Sequence, residues 1–167
     1  KVLWAARLAR LDFSRQTGKL ASKLHCWSKN DDRRMKRMAE YMNSTVDYKL
    51  RGFLCDAPED LELWLFADAD LSSDPDTTKS TSGAFIVLVG PSTWIPLAWI
   101  CAKQTSTARS TAEAESVSMV TALLSEGYPI LNMLELIFGR KITLRLKEDN
   151  TATIKVLQKG YSPKLRH

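Results

Sequence analysis

Between Leu61 and Glu115 the apolar residues recur first at every second position and then at helical spacing, and that switch narrows what the chain can fold into. Leu61, Leu63 and Leu65 alternate, and Trp64 and Phe66 make the other face apolar too, as in a strand buried within a sheet. The strand is expected to end at Asp68; if it continues, Asp70 shares the face of Asp68. Residues 72–78 are turn chemistry, rich in Ser, Asp and Pro. Gly83 to Val89 and Trp94 to Cys101 read as two more strands joined by Gly90-Pro91-Ser92-Thr93, completing an antiparallel meander. Pro96 cannot donate to a ladder, so it belongs at an edge or a bulge. Ser110-Thr111-Ala112-Glu113 is a capping box, and the helix it opens should place Glu115, Met119 and Ala122 on one side, toward the sheet.

Downstream, Gly127-Tyr128-Pro129 should interrupt the helix before Ile130 to Phe138 resumes it as far as Gly139. Ile142, Leu144 and Leu146 predict a strand ending at Glu148-Asp149, where alternation lets only one of the two acids face a shared site. Thr151 to Leu157 reads as a short helix broken by 160–163. Upstream, Val2 to Phe13 predicts a helix interrupted at Gly18. A second helix follows the N-cap oxygens of Ser28 to Asp32, with Met35, Met38, Ala39 and Met42 as its apolar stripe. Val46, Tyr48 and Leu50 predict a strand over Thr45 to Leu54, and Ala57 to Asp60 a turn or linker.

A chain of 167 residues with 44% hydrophobic and 26% charged residues has the composition of one globular domain, or a domain with a small appendage. Cys26, Cys55 and Cys101 are scattered and odd in number, which argues against a disulfide framework or a zinc site and for a reducing, intracellular setting. The longest apolar run, Ala84 to Gly90, falls far short of the roughly 18 residues a membrane span needs. The chain begins at Lys1 without Met and reads as a piece of a longer polypeptide.

Charge is unevenly placed. Residues 1–60 hold 13 Lys and Arg against 8 Asp and Glu, and residues 61–167 hold 11 of each, so the whole excess of +5 lies in the first part. Arg33, Arg34, Lys36 and Arg37 surround the methionine stripe there. Such a local excess suits a solvated helix face, or a polyanion held through its phosphates.

Asp68, Glu115 and Asp149 fall at two strand ends and in the first turns of a helix. Taken singly, each has a plainer role in a turn or against a helix dipole. Together they meet what a hard divalent cation requires, oxygen ligands from several elements. His25 has no ligand-spaced partner and His167 is terminal, so neither adds a metal-thiolate or nucleophilic site.

The series Asp68-Ala-Asp70, Asp74-Pro-Asp-Thr77, Ser80-Thr-Ser-Gly83, Lys103-Gln-Thr105, Ser110-Thr-Ala-Glu-Ala-Glu115 and Glu148-Asp-Asn150 resembles, in order and spacing, the ribonuclease H domain of copia-type retrotransposon polyproteins. Residues 1–57, with Trp27, Arg34, Arg37, Tyr41 and Val46-Asp47-Tyr48, resemble that family's basic, mainly helical segment following a reverse transcriptase. Residues 58–167 resemble the ribonuclease H part. The resemblance implies a ribonuclease H-like α/β fold with a mixed sheet: an antiparallel three-strand meander, then helix, strand and helix. It implies endonucleolytic hydrolysis of the RNA strand of RNA/DNA hybrids during reverse transcription, with Mg²⁺ or Mn²⁺ held by Asp68, Glu115 and Asp149. Asp70 and Glu113 match motifs without being expected ligands. Arg33, Arg34, Lys36, Arg37, Lys103 and Asn150 are the expected nucleic-acid contacts. The implied partners are the hybrid and the reverse transcriptase and integrase portions of the same polyprotein, in a cytoplasmic particle or the nucleus and not at a membrane.

The chain departs from the family pattern in three places. A fourth acid is expected after the last helix, near a Lys-His-Ile-Asp-like segment, but Lys164-Leu165-Arg166-His167 ends without one, so the C-terminal end of the fold reads as truncated. Trp94 to Trp99 carries a few residues more than the family's third strand, and Pro129 falls where its helix continues, so a break or kink is expected there. The alternative to an active enzyme is a domain that keeps the fold but is catalytically weak or inactive, and only binds nucleic acid or partner domains.

Overall fold

The computed structural model describes residues 2–74 and 76–160, which form two compact units divided between Leu50 and Arg51. The expected break at 161–163 and the segment Lys164 to His167 lie outside the described residues.

The first unit is helical: α1 (Val2–Leu8), α2 (Ser14–Ala21) and α3 (Lys29–Ser44), with short 3₁₀ turns at Leu11–Phe13 and Leu24–Cys26. Arg10 ties it together. Its guanidinium donates to Asp12 and to the carbonyl and Oγ1 of Thr45, and it lies 4.7 Å from the ring centroid of Phe13. Tyr41 donates its hydroxyl proton to Asp12 from α3. The start of α3 is a full capping box, in which Ser28 and Asp31 satisfy each other's backbone amides.

Three expectations for this region are corrected. Gly18 does not interrupt a helix but sits inside α2; burial of Thr17 and Leu20 on either side of it outweighs the roughly 1 kcal/mol that glycine costs a helix. Of the methionine stripe, Met38 is buried, whereas Met35 is exposed. No strand forms over Thr45 to Leu54: Thr45 closes α3, its carbonyl is taken by Arg10, and the extended chain beyond it makes a single bridge, Phe53 to Trp94.

The second unit is α/β. Strands β1 (Glu62–Asp70), β2 (Thr81–Val89), β3 (Trp94–Lys103) and β4 (Thr143–Lys147) form a mixed, open sheet in the order β3-β2-β1-β4 among the described residues. The β1–β2 and β2–β3 pairs are antiparallel, as the meander predicts, and β4 runs parallel to β1 with Glu62 opposite Thr143 and Phe66 opposite Lys147. A parallel neighbour needs a crossover, which is supplied by α4 (Thr111–Ala122), a π-helical turn (Leu123–Gly127) and α5 (Tyr128–Phe138). After β4, α6 (Thr151–Lys159) ends on Gly160 in the left-handed conformation.

Burial explains the layering. Leu63 and Leu65 are fully buried and Leu61 nearly so, in one cluster with Ile86, Leu88, Met119, Ala122 and Leu134. Each leucine, isoleucine or methionine among them contributes roughly 1.5–3 kcal/mol of transfer free energy. Met119 and Ala122 place α4 over β1 and β2 with Glu115 on the same inward side, as its spacing predicts. The expected break near Pro129 takes the form of the π turn, and Pro129 stands in the first turn of α5, where its missing N–H leaves no bond unmade. Pro96 lies on the edge strand β3 beside a bulge: Ile86 pairs with Ala98 and Val87 with Pro96, so Leu97 is the extra residue.

Candidate metal centre

Strand β1 does not end at Asp68, as expected, but runs through Asp70, so Asp68 and Asp70 emerge on one face and are exposed, while Ala67 and Ala69 on the other face are buried. The last pair of the parallel ladder is Phe66 with Lys147, and Glu148 and Asp149 follow directly after it. Ser110 caps α4 by accepting from the Glu113 amide at 3.2 Å, and the Glu113 carboxylate accepts from the Arg109 amide at 2.7 Å. This cap holds the first turns of α4, and with them Glu115, against the strand ends.

Glu115, Glu148 and Asp149 each offer a carboxylate oxygen within 4.8 Å of the others. Glu115 is 4% exposed, and its Oε2 and that of Glu148 are buried with no hydrogen-bond partner among the described residues. Burial pushes the Glu115 carboxyl up to about 7, and the charges of Glu148, Asp68 and Asp149 add to it, against the Ala69 amide that donates to it. Glu148 is also raised, by burial first, although the Asn150 amide donates to it at 3.0 Å. Buried carboxylates crowded in this way are costly unless a proton or a cation joins them. The donor set is all oxygen, which fits a hard divalent cation such as Mg²⁺ or Mn²⁺.

Of the sequence-predicted acids, Glu115 and Asp149 come together. Asp68 is not in the three-carboxylate group, but it is near enough for its charge to act on Glu115 and Glu148. Glu148 was missed. Alternation allowed only one of Glu148 and Asp149 to face a site, yet β4 ends at Lys147 and both acids lie in the extended link to α6, where period two no longer applies. The signal was Asn150, a cap residue whose position implies that the strand has already ended. Glu113 and Asp70 lie outside the group.

The expected nucleic-acid contacts fall in separate places. Asn150 caps α6, its Oδ1 accepting from the amides of Ala152 and Thr153 at 2.9 and 3.2 Å. Lys103, at the end of β3, forms an ion pair with Asp74. Arg33, Arg34, Lys36 and Arg37 are exposed on α3 in the first unit; Arg34 pairs with Asp31 and Lys36 with Glu40. Among the described residues no helix is long and apolar enough to cross a membrane.

Compared with known proteins, the chain is 31% identical over 106 residues, 64% of its length, to a retrovirus-related Pol polyprotein from transposon RE2 of Arabidopsis thaliana. The chain spans 7% of the length of that polyprotein. This likeness supports an origin in a retrotransposon polyprotein. No family model and no solved structure matches the chain.

Proposed function

We propose that this chain carries a ribonuclease H-like domain that hydrolyses the RNA strand of RNA/DNA hybrids during retrotransposon reverse transcription, using a divalent cation. The observation that carries the reading is the acid group itself: Glu115, Glu148 and Asp149 converge from a helix and a strand end, with buried carboxylate oxygens left unpartnered and Asp68 close by. The motif resemblance, the mixed sheet order and the likeness to a Pol polyprotein support it independently of that geometry.

Asp68, Glu115 and Asp149, joined by Glu148, are the residues that would hold the cation. When bound, a divalent cation in such a site acidifies water at neutral pH and offsets charge on a leaving phosphodiester oxygen. The residues of this chain supply the rest. Glu115 brings a carboxylate from a rigid helix, and its burial keeps bulk water from competing for it. Glu148 and Asp149 bring two more at a junction fixed by the α6 cap. Arg33, Arg34, Lys36 and Arg37 provide positive charge for the phosphates of the hybrid. The reverse transcriptase and integrase portions of the parent polyprotein are the expected neighbours in the chain.

The experiment is a cleavage assay on a hybrid with labelled RNA, with Mg²⁺ or with chelator. RNA cleavage that needs Mg²⁺, spares the DNA strand and is abolished by Asp149→Asn in a folded protein is expected. Salt-sensitive hybrid binding without cleavage, indifferent to Mg²⁺ and to Asp68→Asn, would identify a binding domain instead.

A further inference from the structure

Two buried polar side chains grip α4 on either side of Glu115, and neither is needed to cap or to bury that helix. Ser118, one turn beyond Glu115 and 1% exposed, donates its hydroxyl proton to the carbonyls of Asp68 at 2.8 Å and Gly83 at 3.1 Å. Serines inside helices commonly bond back to the preceding turn, as Ser116 does to the Ala112 carbonyl at 2.8 Å. Ser118 reaches across to the sheet instead. Gln104, buried after the end of β3, donates through Nε2 to the Ala114 carbonyl at 2.9 Å and the Ser82 hydroxyl at 3.0 Å, while its own amide donates to the Ser80 carbonyl.

Both tethers land on the same short piece of sheet. Ser82 and Gly83 of β2 pair across the ladder with Ala69 and Asp68 of β1. Ala114, held by Gln104, directly precedes Glu115. The helix acid is therefore indexed against the backbone of the strand acid from two directions. We propose that Ser118 and Gln104 are positioning residues that set the place of Glu115 relative to Asp68, Glu148 and Asp149. The inference rests on reading the acid group as a cation site, and it adds residues that touch neither cation nor substrate. Partners that orient ligating groups commonly change metal affinity by roughly 10- to 100-fold when removed.

The test is calorimetric titration of Mn²⁺ into the whole chain carrying Ser118→Ala or Ser116→Ala. Both substitutions delete one hydroxyl from α4, but only the first cuts the link to the sheet. Ser118→Ala is expected to weaken Mn²⁺ binding by about tenfold and to lower kcat on a hybrid with KM unchanged. Ser116→Ala should match the parent in both. Parent-like Mn²⁺ affinity in folded Ser118→Ala overturns the positioning role. An equal loss in Ser116→Ala overturns it as well, since the effect would then be general to the helix. A parent chain that takes up no Mn²⁺ removes the cation site itself, and this inference with it. Should Ser118→Ala fail to fold, Ser118→Cys replaces it, with a near-isosteric but weaker donor; an affinity between those of the parent and a tenfold loss is expected, and parent-like affinity overturns the proposal.

Discussion

Glu115 carries an opposing demand within a single side chain: it is buried as a core residue is, yet it ends in a carboxylate raised to about 7 by that burial and by the acids around it. A carboxyl whose folded value lies above its usual 4.5 binds more protons folded than unfolded between the two. Its stabilising contribution is therefore complete below about 4.5 and is lost as pH rises through about 7. Glu115→Gln, which cannot ionise, should make the metal-free protein more stable than the parent at pH 8 by roughly 3 kcal/mol, with the difference vanishing near pH 4; denaturant melts at both pH values check this. Glu62 and Asp74 act in a separate window. Hydrogen bonds from Arg145 and Lys103 respectively hold each carboxyl at about 2, so their contributions are lost only as pH falls from their usual range toward 2. Cation binding must displace the proton that Glu115 holds, so Mn²⁺ affinity should rise from pH 6 to pH 8 in the parent and lose most of that slope in Glu115→Gln. At this scale the pattern placed Glu115 and Asp149 near one another, while both strand ends were misplaced, β1 running on to Asp70 and β4 stopping at Lys147, and Asp68 falls outside the three-carboxylate group. It set Glu148 aside, because alternation was carried two residues beyond the end of β4 at Lys147.

The element that matters most is α4, because it delivers Glu115. Its cap is one-sided: Ser110 accepts from the Glu113 amide, while Glu113 turns to the Arg109 amide instead of that of Ser110. Ser110→Ala should cost about 1 kcal/mol in a denaturant melt. Elements whose pattern was reinforced by burial were legible, and β1 to β3, α4 and α5 form where periodicity put them. The failures are local conflicts won by other contacts. Val46, Tyr48 and Leu50 alternate as a strand would, but an isolated strand needs neighbours, and Arg10 takes the Thr45 carbonyl at its start. Gly127 marked an interruption, which takes the form of a π turn and not of a gap between helices. A Cβ there would come within 3.0 Å of Leu65 Cδ1, so a side chain at this point would press on the core strand. The bulge at Leu97 was half visible: Pro96 announced an irregular edge, but the register shift depends on pairing with β2 that no local pattern contains.

For the molecule as a whole, composition told where the charge lies but not what it meets. The basic excess belongs to residues 1–60, and Arg33 and Arg37 are exposed on α3. If that helix tracks phosphates, Arg33→Ala with Arg37→Ala should weaken hybrid binding and reduce the slope of log affinity against log salt by about 2; fluorescence anisotropy across a salt series measures it. The sheet order was only partly legible, since a meander can be read from turns, whereas the place of β4 beside β1 depends on the crossover through α4 and α5. That placement brings Glu148 and Asp149 to Glu115. The most direct measurement is anomalous diffraction from crystals of the chain grown with Mn²⁺. An anomalous peak bounded by the carboxylates of Glu115, Glu148 and Asp149, absent in Asp149→Asn, is expected. Crystals whose density shows these three side chains ordered and saturated with Mn²⁺ in the solvent, yet with no peak between them, would contradict the cation site.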